Sequence, residues 1–142
     1  MTNQTNRLHA GLRRWACGYA ADRAAVELLI THHAWLTRLD FCPFMQDLTD
    51  TSGEPITVIY WDEVRDALNR GRLTGSSSET AILRIALSLT IGDLVDLGQA
   101  MSGLDATNTA AVAQALITAA QHTDRVTLSL APRQLPDWLR EG

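Results

Sequence analysis

The sequence predicts a mainly α-helical fold: a compact bundle of five to six helices, with room for one short two-stranded β element pairing 56–61 with 126–130. Apolar residues recur at spacings of three and four along several stretches, the pattern of a helix with one buried face. The run 79–91 is apolar around most of its girth, which suits a helix at the centre of a bundle or in an oligomer interface. The chain has 142 residues, 46% of them hydrophobic and 20% charged, enough for one core without disulfides or metal.

Leu8, Leu12, Trp15, Ala16 and Tyr19 place a first helix over about 5–19. A second starts after Asp22, a good N-cap, and carries Val26, Leu29, Ile30, His33 and Leu36 on one face as far as Leu39 or Asp40. Pro43 disfavours helix just before it, and Phe41 and Phe44 are expected to plug the core at that turn. Residues 47–55 read as a loop. ITVIYW then offers a β-branched run of strand character or an apolar lead-in to a helix capped by Asp62 and ended by Gly71. Ser76 and Glu79 have the spacing of a capping box and open the apolar helix 79–91. A shorter helix follows over about 93–101. The last long one, 107–122, is capped by Asp105 or Thr107 and turns Val112, Leu116, Ala119 and Ala120 inward.

The reading is one domain: a helical body over 1–124, with a C-terminal tail, 125–142, packed on it. In the tail Val126, Leu128 and Leu130 alternate with Thr127 and Ser129, the period of a half-buried strand. Pro132 and Pro136 forbid a long helix afterwards, and Trp138 and Leu139 are expected to anchor the tail to the body or to a partner.

Composition narrows the function classes. Net charge is −4, which argues against a dedicated nucleic-acid binder. All 12 basic residues are arginine, so no side-chain amine exists for Schiff-base chemistry. Two cysteines are too few for a disulfide framework, and their apolar neighbours predict buried, inert thiols. The N-terminus lacks an apolar signal core, and no apolar run reaches the roughly 18 residues that span a bilayer. The expectation is a cytoplasmic protein without cofactor or membrane contact.

The segments AAVELLITHHAWLTRLDF, SSSETAILRIALSL and SGLDATNTAAVAQAL together resemble small Arg- and Ala-rich helical proteins of high-GC bacteria, a group with no assigned function. The resemblance covers about a third of the chain. It implies an order of helices and carries no catalytic residue.

Candidate chemistry is weighed against plainer roles. His32 and His33, with His9 and Asp40 nearby in sequence, are the candidate metal ligands. Adjacent helical residues point about 100° apart, so the pair does not readily share an ion, and His33 reads as a core histidine. Cys42 could meet His32 or His33 across a turn as a thiol–imidazole dyad. Cys17, near a helix C-terminus, has a dipole set against its thiolate. Arg70, Arg72, Ser76, Ser77 and Ser78 form the candidate anion site at a helix start; the plainer reading is a capped helix behind a loop. Arg7, Arg13, Arg14 and Arg23 are the candidate nucleic-acid contacts; the plainer reading is a solvated face paired with acids on neighbouring elements. Residues 94–120 have a helix–turn–helix cadence, but without arginine at the start of the second helix an ordinary helical hairpin accounts for them better.

These observations favour a non-enzymatic helical protein-interaction or regulatory module, with self-association or a protein partner expected. Two alternatives stay open. One is a small DNA-contacting regulator. The other is a small-ligand binder or enzyme centred on His32, His33 and Cys42, or on the loop 70–78.

Overall fold

A computed structural model describes residues 3–140. The protein is mainly helical, with one small antiparallel sheet. The helices are α1 (Asn3–Ala16), α2 (Ala20–His32), α3 (Trp61–Asn69), α4 (Ser77–Ile91), α5 (Leu97–Ser102), α6 (Ala106–Ala119) and α7 (Asp137–Arg140). Two single-turn 3-10 helices, Trp35–Thr37 and Cys42–Phe44, lead into strands β1 (Met45–Thr49) and β2 (Pro55–Ile59).

The apolar run of α4 does what its composition demands. Ala81, Ile82, Leu83, Ile85, Ala86 and Leu87 are all buried, with α2, α3, α5 and α6 packed around them. Arg84, on its polar stripe, donates to Asn69 on α3 at 3.0 Å. Ser76 caps the helix: its hydroxyl accepts from the Glu79 N–H at 3.2 Å, and the Glu79 carboxylate accepts from the Ser76 N–H at 3.0 Å. Such a box contributes about 1 kcal/mol. Gly92 closes α4 at φ +69, a left-handed position that favours glycine.

Helix α1 crosses the hairpin closely. A Cβ on Gly11 would overlap the Thr57 hydroxyl and lie 3.0 Å from the Thr57 nitrogen. Thr57 is buried on β2, and its hydroxyl donates to Asp47 on β1 at 3.0 Å. The strands pair with Met45 opposite Ile59, Asp47 opposite Thr57 and Thr49 opposite Pro55. In the turn between them, the Asp50 carboxylate accepts from the Ser52 N–H at 2.8 Å and the Glu54 N–H at 2.9 Å.

Several expectations need correction. The predicted strand partner was wrong: β2 pairs with Met45–Thr49, and 126–130 form no strand. Residues 47–55 are thus half hairpin rather than all loop. The second helix starts at Ala20, with Asp22 inside its first turn, where burial raises the carboxyl above its ordinary range. It stops at His33, which adopts φ +56 and donates its N–H to the Leu29 carbonyl. The chain then turns so that buried Trp35 donates its indole N–H to the Glu79 carbonyl at 2.8 Å. A straight helix to Asp40 forgoes that contact. Tyr60, not Asp62, sits at the start of α3. Residues 93–96 are not helical, and Asp96 caps α5. Asp105 caps α6, which buries Ala111, Val112 and Ala115 while Leu116 stays 47% exposed.

Val126, Leu128, Leu130, Leu135, Trp138 and Leu139 are all exposed, Trp138 by 76%. Residues 141–142 of the expected tail lie outside the described residues.

Candidate functional site

A groove of about 1130 Å³ opens between the start of α1, the end of α2, the two 3-10 turns and β1. Leu8, Ile30, Leu36 and Met45 give it an apolar lining. Arg7, His9, Arg13, His33, Cys42 and Asp47 supply its main polar groups. Two of the three groups weighed as a dyad, His33 and Cys42, therefore share one open space. His32 is not part of it.

The geometry does not assemble a dyad. His33 is exposed, and its Nδ1 lies 3.4 Å from the Thr31 carbonyl. Cys42 and Cys17 are both free and exposed, so the expectation of buried thiols fails. The 3-10 turn that opens with Cys42 brings its side chain to the surface, while Phe41 just before it is buried against Trp35. The imidazole of His9 titrates below its ordinary value, because partial burial disfavours its charge and Arg13 repels it. Among the described residues no group of three or more His, Cys, Asp and Glu is placed to hold a metal ion.

His32 and His33 exchange the roles expected of them. His32 is the half-buried one; its Nδ1 lies 2.9 Å from the Asn108 amide oxygen on α6. An amide oxygen only accepts, so Nδ1 carries the proton there. Nε2 is buried without a partner among the described residues. This histidine joins α2 to the first turn of α6. His33 faces outward because the helix has already ended in a left-handed residue.

The candidate anion site is engaged by the chain itself. Ser76 and Glu79 satisfy each other, and Ser76 also lies 3.2 Å from the Ser78 hydroxyl. Bonds from the Ser76 N–H and hydroxyl hold the Glu79 carboxyl below its ordinary range. A carboxylate already occupies the place an anion would take. Glu79 also lies 3.7 Å from Arg38, which stacks 4.3 Å from the Trp35 ring centroid and pairs with Asp40 at 2.6 Å. Arg70 and Arg72 are exposed on the loop before this cluster, and Ser77 lines a second groove of about 760 Å³ beside α5.

Of the four N-terminal arginines, Arg13 pairs with Glu27 on α2 at 2.7 Å and Arg14 pairs with Asp50 at the hairpin turn. Arg7 and Arg23 are exposed. The face therefore carries two neutralised and two outward cations, a weak footprint for phosphate. Residues 97–119 form a six-residue helix, a short turn and α6, whose first turn exposes Thr107 and Thr109 and bears no arginine.

Met45 and Asp47 belong to the groove; the loop reading of 47–55 hides Asp47, and no strand is expected at Met45. The signal that could reveal them is the glycine-bearing turn DTSGE between two short runs, a hairpin pattern. No helix of the described residues is long and apolar enough to cross a membrane. Comparison of the chain with protein-family models, curated proteins and solved structures finds no match.

Proposed function

We propose that this chain is a non-enzymatic helical protein-interaction module of the cytoplasm, and that its C-terminal tail is the contact element. One observation carries the reading. Between Val126 and Leu139, six large apolar side chains close together in sequence keep 43% to 76% of their surface in water, whereas the exposed apolar side chains of the body, such as Leu39 and Leu94, are spread along a chain that otherwise packs into one continuous core. Full burial of such a side chain is worth about 1.5–3 kcal/mol, and covering the half that remains exposed gains roughly half of that, which a protein surface can supply. Two exposed, unpaired cysteines suit a reducing compartment.

The test compares the full chain with a full-length Leu128→Ser, Leu130→Ser, Trp138→Ser variant. Cross-linking at native abundance, then titration of the purified partner, should show binding that the variant loses at unchanged thermal stability. Equal binding by both proteins sinks the reading.

A second reading rests on the groove, whose apolar lining and outward Arg7 suit a small ligand with an apolar body and an anionic end. Decanoate is a fair probe. It should raise the melting temperature of the chain but not of Arg7→Ala; no shift in either removes this reading.

A further inference from the structure

We propose that residues 126–130 of one copy add as a strand to the free edge of β1 in a second copy of this chain. The proposal rests on the tail being the contact element and names its partner.

The hairpin has one closed edge and one open edge. Tyr60 N–H donates to the Phe44 carbonyl and Asp50 N–H to the Glu54 carbonyl. By the alternation of an antiparallel ladder, Gln46 and Leu48 bond inward to Val58 and Ile56. The main-chain groups of Asp47 and Thr49 then point away from β2. On the β2 side α1 packs on the strand, with Gly11 close against the outward Thr57 nitrogen. On the β1 side Gln46, Asp47, Leu48 and Thr49 are all exposed, and among the described residues the outward groups of Asp47 and Thr49 make no backbone-to-backbone hydrogen bond.

The tail has the complementary need. Among the described residues, 127–135 make no backbone-to-backbone hydrogen bond. Val126, Leu128 and Leu130 alternate with Thr127 and Ser129 over five residues, the length of β1. Pro132 stops the run. The two pieces do not pair within one copy.

Charge selects the match. From 39 to 64 the chain holds no basic residue; β1 carries exposed Asp47 and its turn exposed Glu54, while Asp50 is already paired with Arg14 of α1. From 125 to 136 it holds no acidic residue, and the strand-like run is flanked by Arg125 and Arg133. An acidic edge repels another copy of itself, which guards against random edge pairing, and attracts a basic-flanked strand. Main-chain bonds supply affinity, and alternate side chains supply register.

Sedimentation velocity on the full chain tests this across a wide concentration range. The wild type should self-associate. Ser129→Pro, which spoils the tail strand, and Thr49→Pro, which removes an outward N–H of the edge, should each weaken association about tenfold or more. Both should melt near the wild-type temperature when dilute; Arg125→Glu with Arg133→Glu, which alters no backbone, should weaken association as well. Mixing Ser129→Pro with Thr49→Pro should restore association, because one brings an intact edge and the other an intact tail. A monomer at every concentration, variants without effect, or no recovery on mixing overturns the proposal. A monomer whose tail still binds a different purified protein leaves the proposed function standing and ends only this inference.

Discussion

Residues 55–59 and 126–130 are both five-residue runs of mostly β-branched and aliphatic side chains, and the second alternates the more regularly, yet only the first is a strand. The first has Met45–Thr49 to satisfy its inward backbone groups and α1 to cover Thr57 and Ile59. The second has neither within its own copy. Alternation therefore states a willingness to pair; a neighbouring edge and a face to bury decide whether pairing happens. The tail thus combines a strand-like run with closely spaced exposed apolar side chains, which is why the proposed contact lies there.

The comparison breaks most visibly at Gly11. Gly11→Val drives a side chain into Thr57 and should cost about 3 kcal/mol by lifting α1 off β2, read by urea denaturation. Thr57→Val keeps the shape but removes the donor to Asp47, and should cost about 1 kcal/mol in the same assay. Asp50 sharpens the comparison through pH. Bonds from Ser52 and Glu54, with Arg14 beside it, lower its pKa to about 2. Above about pH 5 its carboxylate is ionised in both folded and unfolded chains, and its stabilisation is complete. That stabilisation fades as pH falls towards 2. Asp50→Asn should lower the neutral part of a stability–pH curve and so flatten its acid limb, the two curves converging as pH falls towards 2. In the tail, Leu128→Ser and Leu130→Ser together should move the melting temperature of the dilute chain least of all, by under about 0.5 kcal/mol of stability.

How much was legible follows from where each signal resides. Helix α4 could be read because its apolar residues encircle it, and no tertiary detail is needed to say it is central. Its Ser76–Glu79 box and the Asp105 cap of α6 are local chemistry and could be read as well. The end of α2 could not. No glycine marks it, and the stop is favoured by a distant contact between Trp35 and the Glu79 carbonyl. That one misplaced end also exchanged the roles of the two histidines, while the exposure of Cys42 comes from its own 3-10 turn. Strand β1 was hidden because most of MQDLT is exposed on both faces and shows no period to detect. The groove went unseen because it needs α1, α2 and β1 to be placed against one another.

Hydrogen–deuterium exchange on the dilute chain tests the central claim most directly, comparing the amides of Ile56 and Val58 with those of Thr127 through Leu130. The β2 amides should exchange only through large opening of the fold, and the tail amides at nearly the rate of an unstructured peptide. Tail amides as protected as those of β2 in a monomer would contradict it.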